Sequence, residues 1–168
     1  MNDLQLNACV RELGSNTEKR FKGCVCIDEL PQDIKVGQFC FINSLKRNDS
    51  KDSIGHWTLL CYGAAVPHND AEDDKMIYYD SLGRWPEDLD LIKYCLARSS
   101  FVLYNNFSVQ SLFSDLCGKH ILYVLTFWLN GMKIFDILTK CYKINSLSAS
   151  VNDNLVQLFY NKHFKKNG

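Results

Sequence analysis

The sequence predicts an α+β fold: a small mixed or antiparallel sheet packed against helices, with a central helix past the middle of the chain. Short runs rich in aromatic and β-branched residues recur at 38–42 (QFCFI), 56–62 (HWTLLCY), 76–80 (MIYYD) and 101–104 (FVLY), which is strand composition. Segments of helical spacing fall before, between and after them without regular βαβ alternation. Leu116 to Asn130 is nearly all apolar, and a helix that is apolar on several faces must be surrounded by other elements. A length of 168 residues fits one domain, 1–168, able to bury roughly 70% of the surface of its unfolded chain.

In chain order, residues 4 to 13 predict a helix with Leu4, Ala8 and Leu13 near one face and Gly14 as its left-handed cap. A polar loop through Lys19 and Arg20 leads to Phe21 and the short apolar run Cys24 to Ile27. Pro31 and Gly37 punctuate the approach to the first strand-like run, and the Asn-, Ser-, Asp- and Lys-rich stretch 43–54 predicts an exposed loop. The runs after His56 and before Asp80 can pair antiparallel across a polar insert whose acidic residues 70–74 read as a solvated tip. Ser81-Leu82-Gly83 predicts a turn, and Pro86 a helix start with Leu89, Ile92 and Leu96 inward. FVLY predicts a third core strand, with 105–108 as its exit loop. After the central helix, Met132 to Tyr142 offers Ile134, Ile137 and Leu138 for packing, and Asn152 to Phe164 offers Leu155, Leu158 and Phe159.

Composition excludes several classes of function. Nineteen basic and nineteen acidic residues cancel, so no strong global attraction to DNA or an anionic membrane is expected. No apolar run reaches the roughly 18 residues of a membrane span. With no positively charged leader, the eight cysteines read as reduced thiols of an intracellular protein, most of them acting as small hydrophobes. Cys24 and Cys26 lie close together, but no second pair or nearby histidine completes a zinc site, and no metal is expected.

The remaining polar residues in apolar settings suggest chemistry. Cys117 opens the central helix, where unpaired N–H groups and the helix dipole favour a thiolate. Gly118 allows close approach by a substrate and keeps the path of attack open. His56, at a loop-to-strand transition after Gly55, can take the thiol proton and return one to a leaving amine, with Trp57 limiting its rotamers. Asp80 at a strand end can orient the imidazole, cap the following turn, or do both. Gln110, seven residues before Cys117, can donate to an oxyanion together with the Cys117 N–H, and Asp115 reads as the N-cap of the helix. Individually each has an ordinary structural reading: a buried cysteine, a surface histidine, a turn cap, a loop glutamine.

Taken in order, His56-Trp57, the YYDSLG turn with Asp80, Gln110, and Cys117-Gly118 resemble the cysteine proteases grouped with the adenovirus proteinase (adenain), a superfamily that also holds the SUMO-specific proteases. The resemblance covers roughly residues 4 to 130, including LNACVRELG and KRFKG near the start. It implies a Cys-His-Asp triad of Cys117, His56 and Asp80, with Gln110 at the oxyanion and Gly55, Trp57 and Gly118 lining the substrate groove. It further implies a monomeric viral maturation endopeptidase, active in the host cell nucleus and virion, that cuts capsid and core precursor proteins at glycine-containing sites. A short viral peptide and DNA are its implied activators. Two departures stand out: Leu116 replaces the Asp that SUMO-type proteases carry before the nucleophile, and Ser99 stands where the peptide-linking cysteine would fall. An isopeptidase for a ubiquitin-like modifier and a catalytically idle interaction module are the alternative functions.

Overall fold

A computed structural model describes residues 1–50, 55–66, 74–144 and 149–165. Helices α1 (Asp3–Glu12) and α2 (Ser15–Arg20) lead into strands β1 (Phe21–Cys26), β2 (Phe39–Asn43), β3 (Trp57–Tyr62) and β4 (Met76–Tyr79). Helix α3 (Leu89–Leu96), strand β5 (Val102–Tyr104) and helices α4 (Cys117–Leu129), α5 (Ile134–Asp136) and α6 (Ala149–His163) follow. One π-helical turn, Ile137–Cys141, continues α5. The five strands form one mixed sheet in the order β1-β2-β3-β4-β5. Its centre, β2 to β4, is antiparallel, while β1 and β5 join the two sides in parallel. The fold is α+β as the sequence predicts, although the acidic tip falls largely outside the described residues.

The alternation of side chains along a strand sorts the apolar runs onto two covered faces. Phe39, Phe41, Leu59, Cys61, Ile77 and Tyr79 pack with Leu6, Val10, Ile121, Leu125, Trp128 and Val156 of the helices on one side. Cys40, Ile42, Leu60, Met76 and Tyr78 meet Leu91 and Cys95 of α3 on the other. Burial on both faces explains why these strands read as continuous apolar runs rather than alternating ones. Helix α4 lies against β3 and α6, with Ile121, Leu122, Val124 and Leu125 all fully buried.

Three helices turn a different face inward from the one their leucines suggest. In α1, the capping box between Asn2 and Gln5 sets the first turn so that Leu6, Cys9 and Val10 face the core, and Leu4 is 74% exposed. In α3, the Asp88 carboxylate accepts the N–H groups of Asp90 and Leu91, so the helix starts after Pro86. Leu91 and Cys95 are its buried pair, and Leu89 and Leu96 are exposed. In α6, Asn152, Asp153 and Val156 point inward and Leu155 and Leu158 outward, because Asp153 bonds buried His120 and Asn152 bonds the Lys143 backbone N–H and carbonyl. FVLY is an edge strand rather than a core strand: Phe101, Leu103 and Tyr104 are exposed. Asp115 does not cap α4; Leu116 holds the N-cap position and no side chain bonds there.

Arg20, placed by the sequence in a polar loop, instead ends α2 and closes the fold. Its Nε donates to the Gly37 carbonyl at 2.6 Å and its Nη2 to the Ala65 carbonyl at 3.0 Å, while the guanidinium lies 5.1 Å from the centre of the Trp128 ring. Arg47 is likewise committed, to Glu29. Lys19, Arg20, Lys46 and Arg47 therefore do not offer four free cations to a polyanion. Replacing Arg20 by methionine is expected to cost about 2–3 kcal/mol, since two carbonyls lose a charged donor together. Urea denaturation checks this, and a loss below about 0.5 kcal/mol would show that water replaces the guanidinium freely.

Candidate active site

His56, Asp80, Gln110 and Cys117 converge on one end of the central antiparallel strands, and the backbone around each is anchored. His56 precedes β3 and is held to the end of β2: its N–H donates to Ser44 Oγ, and its carbonyl accepts the Ser44 N–H, both at 2.9 Å. Gly55 fits before it because a Cβ there would lie 2.1 Å from Asn43 Oδ1. Asp80 directly follows β4. Its N–H donates to Asn105 Oδ1 at 3.0 Å and its carbonyl accepts from Asn105 Nδ2 at 2.6 Å, so the Asn105 amide acts as a strand partner for the residue carrying the acid. Asn105 opens the exit loop after β5 and is buried there.

The turn after Asp80 is fixed from two sides. Asp80 Oδ1 accepts the Leu82 N–H at 2.8 Å, and the Asp80 carbonyl accepts the Gly83 N–H at 2.8 Å. Gly83 has φ +68° and lies so close to the next segment that a Cβ would sit 2.3 Å from the Phe107 carbonyl carbon. Only glycine meets both requirements. The turn-cap and orienting readings of Asp80 hold together, because the same Oδ1 lies 2.6 Å from His56 Nε2.

With Nε2 on Asp80, Nδ1 is the ring nitrogen left to interact with the Cys117 sulfur. Burial disfavours the imidazolium, but the hydrogen bonds to Asp80 and Cys117 and their charges outweigh it and raise His56 to about 9. Burial likewise opposes the Cys117 thiolate. Hydrogen bonds from His56 and from the Trp57 and Gly118 N–H groups, with the imidazolium charge, reverse that effect and lower the thiol below its ordinary value. Both shifts favour a thiolate–imidazolium pair.

The other seven cysteines behave in the opposite way. Burial raises Cys9, Cys24, Cys26, Cys40, Cys61, Cys95 and Cys141, Cys9 to about 11 and Cys24 to about 12. All eight thiols are free. Among the described residues no group of three His, Cys, Asp or Glu side chains is arranged to hold a metal ion, and no helix is long and apolar enough to cross a membrane.

Gln110 is buried and shares a cleft of about 880 Å³ with His56, Trp57 and Cys117. Its Nε2 donates to the Ser114 carbonyl at 2.8 Å, and its Oε1 accepts from Ser81 Oγ at 2.5 Å. One N–H of the amide remains after the Ser114 bond. Gly118 is not under open space as the sequence suggests: a Cβ there would come within 2.9 Å of Met1 Cβ and 3.0 Å of its sulfur. Met1 is tied down by its carbonyl, which accepts the Trp57 indole N–H at 2.9 Å. Together Met1, Trp57 and Gly118 narrow the cleft beside the thiol.

A second cavity, about 410 Å³, opens on another side of His56 and is lined by Asp80, Lys46, Arg84 and Trp85, without Cys117 or Gln110. The imidazole thus stands between two spaces. A third, of about 420 Å³ beside β5, is lined by Ile77, Tyr104, Ile134 and Phe135 and carries neither a thiol nor an imidazole.

Sequence reasoning missed a buried network beneath the site. His120, fully buried one turn past Cys117, has Nε2 2.8 Å from Asp153 Oδ1 and Nδ1 3.1 Å from the Tyr142 hydroxyl, which is 3.3 Å from that of Tyr79. Asp153 Oδ2 accepts the Ser111 N–H at 3.3 Å, next to Gln110. Burial outweighs the Asp153 bond and lowers the His120 pKa, so its imidazole stays neutral where that of His56 is charged. The sequence signal was available only as a histidine inside an apolar helix. No protein-family model and no curated protein matches the chain.

Proposed function

We propose that this chain is a thiol endopeptidase in which Cys117 attacks the scissile carbonyl, His56 moves the protons, Asp80 orients the imidazole and Gln110 holds the oxyanion. The observation that carries this reading is the continuous Asp80–His56–Cys117 series, in which the imidazole is raised and the thiol lowered while burial raises every other thiol. A structural histidine or an inert buried cysteine has no need of that opposed pair.

The steps follow from the geometry. The thiolate pair forms the C–S bond and the carbonyl π pair moves to oxygen, facing the free Gln110 N–H and the Cys117 N–H. Collapse expels the amine, which takes the imidazolium proton, and leaves a thioester. Neutral His56 then accepts a proton from water as its oxygen attacks the thioester, and the second collapse returns the thiolate. The proton donor is the His56 nitrogen beside the sulfur and must face the leaving nitrogen, so both halves of the scissile bond lie in the cleft shared by His56, Gln110 and Cys117. Met1 and Trp57 crowding Gly118 support a preference for glycine beside the scissile bond.

The biological setting rests on the resemblance stated for the sequence: virion maturation in the host nucleus, capsid and core precursors as substrates, and a viral peptide and DNA as activators. Cys95, the free thiol nearest Ser99, is buried, and Arg20 and Arg47 are committed, so neither the covalent-peptide nor the DNA part gains support and each activator is tested separately.

A peptide ending in Gly-Gly and bearing a thiol-reactive group is expected to label Cys117 and spare the other seven cysteines, with labelling falling sharply in His56→Ala. Mass mapping reads the site, in the presence and absence of a candidate peptide and DNA. Label on other cysteines with none on Cys117 under every condition would sink the reading and leave an idle interaction module. Comparison of a short glycine-containing peptide with a folded modifier conjugate separates an endopeptidase from an isopeptidase.

A further inference from the structure

An oxyanion donor must present nitrogen, yet a glutamine amide turned over presents an acceptor of the same shape. At Gln110 two neighbours discriminate. The Ser114 carbonyl is an acceptor only and holds Nε2 at 2.8 Å; the Ser81 hydroxyl donates to Oε1 at 2.5 Å. Ser81 is fully buried, so water does not replace its hydroxyl without rearrangement. Its backbone serves the same segment: the Ser81 carbonyl accepts the Val109 N–H at 2.9 Å, the Gln110 N–H at 3.0 Å and the Ser108 hydroxyl at 3.2 Å. The preceding residue is Asp80, whose carboxylate orients His56. One short turn therefore anchors the imidazole partner and the oxyanion donor together.

We propose that Ser81 is a positioning residue whose hydroxyl keeps the Gln110 amide turned with its free N–H toward the oxyanion. The proposal rests on Cys117 acting as the nucleophile. Without the hydroxyl, Oε1 is left buried with no donor, and the amide swings toward water in the cleft to recover one. The loss is confined to steps that build negative charge on the carbonyl oxygen. Forming the thiolate and alkylating it need no oxyanion donor.

This separation supplies the test. Wild type, Ser81→Ala, Gln110→Ala and the double variant are compared by peptide cleavage, by affinity for a glycine-containing peptide aldehyde, and by the rate of Cys117 alkylation with iodoacetamide. The aldehyde carbon takes the thiolate pair; its oxygen takes the π pair and then the imidazolium proton, so its adduct uses the oxyanion site. Alkylation transfers the thiolate pair to the methylene carbon and expels iodide, away from that site.

For Ser81→Ala, kcat is expected to fall about 10-fold with KM unchanged, less than the 10²–10³-fold typical of deleting an oxyanion donor outright. Aldehyde affinity falls by the same factor, and alkylation and its pH dependence stay as in wild type. In the Gln110→Ala background the Ser81 change adds nothing. The proposal is overturned if alkylation falls in step with kcat, or if Ser81→Ala costs the same with Gln110 absent. Ser81→Cys, nearly the same volume with a weak donor, is read in the same way should the alanine variant not fold. A wild-type protein that cleaves well and is unaffected at residue 81 removes this inference alone. One that neither cleaves nor alkylates selectively at Cys117 removes the protease reading with it.

Discussion

Replacing Cys117 by alanine is expected to reduce peptide cleavage by at least about 10⁴-fold, to the level of the uncatalysed control, because the other thiols of the cleft, Cys24 and Cys26, are held protonated by burial. The fold should survive, since the change removes one sulfur from a position against Trp57 and the first turn of α4. A sharper consequence concerns His56. Two of the causes that hold it near 9 are the hydrogen bond and the charge of Cys117, while Asp80 remains. The imidazole of the alanine variant should therefore titrate lower than 9, at a pH readable by NMR. An unchanged titration would mean that sulfur and ring are uncoupled, and the proposed ion pair would fail. In the wild type, cleavage should rise with pH as the thiolate forms, below the ordinary thiol range, and decline as His56 loses its proton near 9. A single rising limb beginning near the usual thiol value would contradict the pair.

The architecture was legible because its main signals are local. Strand composition at 39–43, 57–62 and 76–79 and the apolar stretch after Leu116 each specify an element without knowledge of the rest. Helix facing was less legible for a physical reason. Leu4, Leu89 and Leu158 are exposed while Cys9, Cys95 and Asp153 are buried, because caps set the start of α1 and α3 and a partner in α4 draws α6 round. A turn of one residue moves the inward stripe by about 100°. The edge position of β5 was invisible for a similar reason, since strand order is a tertiary property and its parallel partner β4 is fixed only by pairing.

The site divides along the same line. His56, Asp80, Gln110 and Cys117 were legible as types in an order, and the structure brings them together. Their supports were not. Asn105 acts on a backbone twenty-five positions away, Ser81 on a side chain twenty-nine away, and Met1 on an indole fifty-six away. A side chain that satisfies distant backbone leaves no periodicity behind. Arg20 illustrates the same point: nothing in a polar stretch says that the carbonyls of Gly37 and Ala65 need its guanidinium.

Asp80→Asn should lower kcat by about 10²-fold while leaving the turn intact. The asparagine carbonyl can still accept the Leu82 N–H, as Asp80 Oδ1 does at 2.8 Å. What changes is the face toward His56. The same oxygen faces Nε2 at 2.6 Å, so the ring keeps its Nε2 proton but meets a neutral amide in place of a carboxylate, and the imidazolium loses its counter-charge. The same substitution removes the Asp80 charge, which together with its hydrogen bond and with Cys117 raises His56 from 6.5 to about 9. A histidine with a raised folded-state pKa stabilises the fold fully below its unfolded value and loses that contribution as pH rises through the folded one. The wild type should therefore exceed Asp80→Asn in stability most at pH 6, progressively less from 6.5 upward, and little beyond about 9. Urea titrations at pH 6 and pH 10 measure the difference directly. A gap that is equal at both, or wider at pH 10, would show that Asp80 acts through its turn alone and that imidazolium stabilisation is not its role.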